Sequence, residues 1–508
     1  MNPYNVELVY REISATKAVS GAEFERGVQD FNFGMGAPNC WIPSKSYFLV
    51  SATLIGRANV APLIKDQVAF ADDMCAGLYN NAYFKVGGQD VSSIVSYVPQ
   101  AHALRSRTTK SQAFLNSVGK SAYMSNADFQ ERVALTASGT LLNVASQQEY
   151  FPISAPDGTG NLSLVANTGV ITAAGGALFA RVAVAPAPAY QLEVGDMVVM
   201  GGVSYKIITY TDATHVVVGV LSPAAASPIT CGAGNFHGLK MRRRDGGSRN
   251  SIMMAYQPPL GIFDHDQPMG AGDYRFSLNP NSGYKKACVE SAWRDLKSGI
   301  TGADDFDLVI TNVRLYVAII KMEIPNDLPP LILYESHVQS KPATATGTYE
   351  FTVPSSTIAL CVLIQSGVAG SNTLIPATRF VNFDGSQNNI SGLQITYANA
   401  TKPSTKWTSG FNGTTNNLQQ RYLDNLTESG VIESPGGTES FGEWLQRGAY
   451  YYYSFNPDRE DKCTQVQMSM EFTALEGNCN VILVAIHSRI TQIITQDGAV
   501  VQVRSINK

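Results

Sequence analysis

The sequence predicts a mainly all-β protein built as two tandem β-sandwiches, and three observations carry that expectation. Charged residues make up only 15% of the 508 residues, while hydrophobic residues reach 44%. Soluble domains average roughly 25% charged residues, so much of this surface is expected to lie against other subunits. The remaining polarity comes from Ser, Thr, Asn and Gln, punctuated by 44 Gly and 24 Pro, a mixture that suits short strands joined by turns and long loops. Strand-like runs also recur on both sides of a proline-rich stretch, EIPNDLPPL. The chain is too long for one ordinary core.

Taken in order, Tyr4 to Glu12 alternates weakly and reads as a strand or a docking arm. Tyr47 and Leu49 lie in a segment of strand composition. Leu63, Val68, Ala71, Cys75 and Leu78 recur at helical spacing, predicting a helix that ends at Gly77 or at Asn80–Asn81. VSSIVSYVP reads as a strand stopped by Pro99. Residues from Ala101 to Glu131 read as helical or irregular and carry Arg105, Arg107, Lys110 and Lys120. From Ser154 the composition shifts to Gly, Ala, Thr and Pro. There Met197 to Met200, Ser204 to Tyr210 and His215 to Leu221 form the cleanest strand series, turning at Gly201–Gly202 and Thr211-Asp212-Ala213. This predicts a small antiparallel barrel or hairpin module, about 154–242, inserted in a loop of the first domain.

Tyr274 to Leu278 and Leu308 to Ile320 complete the first half as strands. The domain boundary is expected near Asn326, dividing the chain into 1–325 and 326–508. Beyond it TYEFTVP, IALCVLIQ, GLQITYA, GAYYYYSF, QVQMSMEFT and NVILVAIH read as strands. Their turn-rich spacing points to a sandwich. The tail after His487 has no clear assignment: ordered, clasping a neighbour, or trimmed.

A net charge of −4 argues against a protein that coats nucleic acid over a large area, which needs a basic field. The seven cysteines are scattered, with no CxxC pair and no histidine at zinc-finger spacing, and are expected to be free thiols. Sequons at Asn161, Asn389, Asn399, Asn412 and Asn425 matter only in a secretory pathway, and MNPYNVELVYREI does not read as a signal peptide. No apolar run is long enough to span a bilayer.

Two segments resemble a known family. QPPLGIFDHDQP (Gln257 to Pro268), followed by a strand with Arg and Phe, is similar to a Pro-Leu-Gly-x-Phe stretch near the end of the first jelly roll in double-jelly-roll major capsid proteins. FGEWLQRGAYYYYSFNPDREDK (Phe441 to Lys462) with the strands after it resembles their closing strands. Over its length the chain looks most like the Sputnik-type virophage members. The resemblance implies two jelly rolls standing side by side, three copies forming a pseudo-hexagonal capsomer, and an icosahedral shell. It further implies contacts with neighbouring capsomers, penton and minor capsid proteins, a place in the virion, and assembly in the host cytoplasm. The 154–242 module lies outside the shared core and fits a variable outer loop.

No catalytic, cofactor-binding or metal-binding residue is assigned, and no cofactor is expected. Asp264-His265-Asp266 could hold a metal or act as acid and base, but a turn with Asp bonding its own backbone is the favoured reading. Arg242-Arg243-Arg244 with Arg249 could bind phosphate, a polysaccharide or an acidic neighbour; a solvated loop or an intersubunit ion pair is favoured. Tyr450 to Tyr453 would send two rings to each face of a strand, which favours packing over a stacking platform for bases or sugars. His102, His215, His237, His265, His337 and His487 lie far apart, and none has a sequence-local nucleophile arrangement. The alternatives to a capsid protein are a receptor- or glycan-binding spike, motivated by the inserted module, and a jelly-roll glycosidase, which needs paired carboxylates in a cleft.

Overall fold

Apolar side chains at every second position lay down the first sandwich. In Gln29–Met35, for example, Gln29, Phe31, Phe33 and Met35 are buried while Asn32 and Gly34 between them are exposed. The computed structural model of the chain describes residues 8–17, 27–56, 68–70, 73–110, 251–291, 306–322, 330–366, 389–408, 418–430, 449–455, 463–475, 479–496 and 499–505. It also describes the strands within 134–241 and Phe24, Thr214, Phe380, Phe441 and Trp444.

The first sandwich has strands β1 (Val9–Ser14), β2 (Gln29–Met35), β3 (Tyr47–Gly56), β4 (Tyr79–Val86) and β5 (Gln89–Ile94), then β6 (Ser251–Tyr256), β7 (Gly272–Pro280) and β8 (Phe306–Lys321). One sheet runs β1-β8-β3-β6, with the short strand Asn39–Trp41 also on β8; the facing sheet runs β2-β7-β4-β5. The second sandwich has β9 (Leu331–Pro342), β10 (Thr346–Thr352), β11 (Thr357–Ser366), β12 (Asn389–Tyr397), β13 (Ala400–Thr408), β14 (Tyr450–Ser454), β15 (Gln465–Ala474) and β16 (Cys479–Gln496). Its sheets run β9-β16-β11-β14 and β10-β15-β12-β13. Adding eight to each strand number of the first sandwich reproduces the second. Both are eight-stranded jelly rolls, so the fold is a double jelly roll whose duplication lies in strand order.

Aromatic rings fill the first roll. Phe276 of β7 stands 4.7 Å from Phe84, 5.2 Å from Phe263 and 5.6 Å from Phe48, measured between ring centres, and all four are buried. Such offset and edge-on pairs add to the burial of their area. The second roll relies more on aliphatic packing: Leu360, Leu363, Val481, Leu483 and Val484 are buried. One continuous core runs through both rolls.

Between β5 and β6 the chain leaves the first roll. A helix, α1 (Val98–Thr109), follows first. Farther on, an eight-stranded sheet extends from Tyr150–Pro152 to Phe236–Met241. Its centre is the antiparallel series Met197–Met200, Val203–Asp212 and His215–Gly219. This sheet packs its own small core around Leu162, Ile171, Val198, Ile207 and Val216, separate from that of the rolls.

Several local expectations change. The helix expected up to Gly77 or Asn80–Asn81 is a single turn, Met74–Gly77. Val68–Phe70 before it pairs as a strand with Val289–Ser291, and Tyr79 onward is β4. Of the residues at helical spacing, Val68 lies in the Val68–Phe70 strand, Cys75 in the single turn and Leu78 just after it, while Leu63 and Ala71 lie outside the described residues; alternation on β4 won. Pro99 does not stop a strand; it stands in the first turn of α1, where its missing N–H costs nothing. The first segment is an ordinary edge strand, β1 on β8. Residues 323–329, with the expected junction at Asn326, lie outside the described residues.

The tail after His487 continues β16 to Gln496 and returns as β17 (Ala499–Ser505), paired on β16. It clasps the first roll of its own chain: the Val500 N–H donates to the Ala271 carbonyl at 2.6 Å.

Candidate functional site

Where the two rolls meet, β5 of the first and β9 of the second pack together, and the short 3-10 turn Gly261–Asp264 presses on β9. Gly261 is required there. A Cβ on it would stand 2.7 Å from the Tyr334 carbonyl oxygen and 3.0 Å from Glu335 Oε1, closer than real Cβ contacts allow. Ser92 on β5 donates its hydroxyl to Glu335 Oε1 at 2.5 Å, and both residues are buried. Arg489 on β16 reaches back to the Asp90 carbonyl at 2.5 Å. The seam is therefore held by polar side chains aimed from one roll into the other.

Helix α1 bolts the seam from the side. Its Arg105 bonds the Leu260 carbonyl at 3.0 Å and pairs with Asp264, while Gln100 bonds Gln365 of β11 at 2.7 Å. Arg107, also buried, lies over the Tyr450 ring at 4.8 Å and the Phe380 ring at 5.5 Å, with the Trp444 carbonyl at 3.4 Å. A guanidinium over aromatic faces in a dry contact gains about 2 kcal/mol or more.

The second roll hides one of its sheet edges. The helix α2 (Leu418–Glu428) lies on edge strand β14. Asn425 donates to the Tyr450 carbonyl and accepts from the Tyr452 N–H, each at 2.6 Å, and Glu428 accepts from the Ser454 N–H at 2.9 Å. Two side chains thus replace a missing neighbour strand and block pairing at that edge. The outer faces differ. Tyr10, Met253, Ile332 and Tyr334 stand 44–63% exposed on β1, β6 and β9, and Tyr10, Tyr47 and Tyr316 form a ring ladder with centres 5.9 and 5.5 Å apart. Scattered exposed apolar residues are ordinary, but here they sit on sheets of both rolls.

The residues singled out by sequence fall as follows. Asp264 pairs with Arg105, Asp266 accepts from the Ser44 hydroxyl at 2.5 Å, and the His265 carbonyl accepts from the Ser44 N–H at 3.1 Å. These three residues pin a turn. Burial pushes the His265 imidazole below its ordinary range, partly offset by Asp266. Tyr450, Tyr451 and Tyr453 are buried and Tyr452 half-buried, so both faces of β14 are covered within the chain. Arg242, Arg243, Arg244 and Arg249 lie outside the described residues. His215 bonds Asp212 at 3.0 Å in an exposed turn of the inserted sheet, and His337 and His487 lie at β9 and β16. Among the described residues no His, Cys, Asp or Glu cluster could hold a metal ion, and Cys40, Cys75, Cys288, Cys361 and Cys463 are free thiols. Among the described residues no helix is long and apolar enough to cross a membrane. Sequence reasoning missed Glu335, Ser92 and Gly261; a carboxylate in a strand reads as solvent-facing.

The chain's fold is similar to that of several solved capsid structures. The Sputnik virophage structure matches at 11% identity, over 96% of this chain and 86% of the other, with a TM-score of 0.45. The mavirus major capsid protein matches at 11% identity over 100% and 91%, also at 0.45. The Faustovirus major capsid protein matches at 8% identity over 96% and 91%, at 0.43. No protein-family model matches the chain. No curated protein matches it either.

Proposed function

We propose that the chain is a major capsid protein, three copies of which form a pseudo-hexagonal capsomer in an icosahedral shell. The observation that carries this is the repeated strand order: one chain holds two jelly rolls of the same topology, locked by the buried Ser92–Glu335 bond, a helical bolt and a C-terminal hairpin. A three-fold ring of such chains presents six like units, and six-fold outlines tile a flat facet. Closed rings follow from heterologous contacts whose rotation closes. Work done by shape needs interfaces of about 1,200–2,000 Å² or more, which low surface charge and apolar residues on both outer sheets favour.

In this reading residues 1–325 and 326–508 are the two units, and the module about 154–242 is an outward-facing insertion. Its separate core supports independent placement on a loop. Neighbouring capsomers, penton and minor capsid proteins are its partners, the virion its location, and the host cytoplasm its place of assembly. The test is the purified full-length protein, examined by light scattering and negative-stain imaging. Pseudo-hexagonal trimers are expected; a strict monomer at all concentrations overturns the reading. A glycan-binding role of the module is separable: it predicts glycan-array binding that disappears when 154–242 is deleted while trimers persist.

A further inference from the structure

We propose that Glu335 makes the seam between the two rolls a pH-sensitive joint, closed when its carboxyl is protonated and loosened when it ionises. The device is built into the fold and is independent of what the chain assembles into. Glu335 is 1% exposed. Its Oε1 accepts from Ser92 of the other roll at 2.5 Å, and the Gly261 N–H also holds the carboxyl. Oε2 finds no partner among the described residues. A buried carboxylate with one oxygen orphaned is costly, and protonation relieves that cost. Leaving the seam would let the same carboxylate take up water.

Burial raises the Glu335 carboxyl to about 7; the Ser92 and Gly261 bonds and the charges of Arg105 and Arg489 hold it from rising further. Those two arginines are engaged elsewhere, Arg105 with Asp264 and the Leu260 carbonyl, Arg489 with the Asp90 carbonyl. The other groups around the joint add little charge to it. Asp90 pairs with Lys85 at 3.4 Å, and His102 of α1 lies 3.4 Å from Asp73. His487, paired with Glu335 across the sheet, is held at about 4 by burial, with His337 and Arg489 adding to the effect. His337 and His265 are likewise lowered by burial. His487 is therefore neutral where Glu335 titrates, and burial shifts His337 and His265 towards the neutral form.

A carboxyl near 7 in the closed seam and near 4.5 in the open one favours opening about 30-fold more at pH 8 than at pH 5.5. Hydrogen exchange of the full chain, corrected for intrinsic rates, reads this directly. Set against Glu335→Gln, exchange in 89–94, 260–264 and 331–336 of the wild type is expected to rise by about that factor from pH 5.5 to 8, because the opposing His487 contribution cancels in the ratio. A ratio that does not change with pH overturns the proposal. A difference infrared titration gives a second readout: a protonated-carboxyl band should disappear near neutral pH in the wild type and be missing from Glu335→Gln. If that variant does not fold, Ser92→Ala removes the donor to Oε1 and should move the infrared midpoint upward. An unchanged midpoint there also overturns the proposal.

Discussion

Gly261→Ala tests the seam by collision. The added methyl would lie 2.7 Å from the Tyr334 carbonyl oxygen, 3.0 Å from the Tyr334 nitrogen and 3.0 Å from Glu335 Oε1. Two of these three atoms are backbone of β9, which pairs along its whole length with β16 and cannot swing aside. Glu335 is equally fixed by Ser92. Overpacking in a well-filled interior costs about 1–3 kcal/mol, and contacts made mostly to pinned backbone place this case at about 2–3 kcal/mol. The rolls must shift apart, so the loss should also appear as faster exchange in 331–336. Gly36→Ala is the control, because a Cβ there meets nothing within 4 Å. Denaturant unfolding followed by tryptophan fluorescence, with exchange measured in parallel, compares the two. If both variants unfold at the same midpoint and exchange alike across 331–336, the seam is not tightly closed and the reasoning fails.

Phe276→Ala removes the ring that touches Phe48, Phe84 and Phe263 at the centre of the first roll; a loss of about 3–5 kcal/mol is expected in unfolding experiments. Asn425→Ala strips the edge of β14 of both Asn425 bonds, leaving only Glu428 on Ser454, and should cost about 2–4 kcal/mol, with aggregation rising as the edge opens. The same residue is 3% exposed, so its sequon should stay unmodified in folded protein on mass spectrometry. His487, held at about 4 against an ordinary 6.5, is bound as the neutral imidazole. Its folded pKa is depressed, so its contribution, up to about 3 kcal/mol, is present above about pH 6.5 and fades as pH falls towards 4. His487→Gln should flatten that acid loss in melting curves. The Glu335 carboxyl acts oppositely across much of the same window, so the wild-type curve alone will show little slope and the paired variants carry the information.

Strands were most legible where one face is buried and the other wet. Gln465–Ala474, Gly272–Pro280 and Phe306–Lys321 announce themselves by alternation, and the inserted sheet by Gly-Gly and Asp turns. Other elements were only partly legible. Helix α1 buries Val98, Pro99, Gln100, Ala101, Ala103, Leu104, Ser106 and Arg107. A helix covered on nearly every side leaves no stripe to read. Strand β13 contains Pro403 and reads as loop, yet it is an edge strand, where a missing N–H is tolerated. Its turn from β12 uses Ala398 and Asn399 at positive φ of 48° and 60°, a tight hairpin hidden because glycine, its usual mark, is absent.

What the sequence determined by itself is the composition of the answer: a strand-rich protein of low charge, with strand series on both sides of a proline-rich stretch and a further one after Ser154. Those are local properties, written in spacing and residue type. Tertiary structure alone decided that the halves share one strand order, that α1 bolts them together, and that the C-terminal hairpin returns to the first roll. It alone also brought Ser92, Gly261 and Glu335 together across 243 positions of chain. Such contacts arise from packing between distant segments, and a carboxyl looks the same in sequence whether water or a second roll faces it.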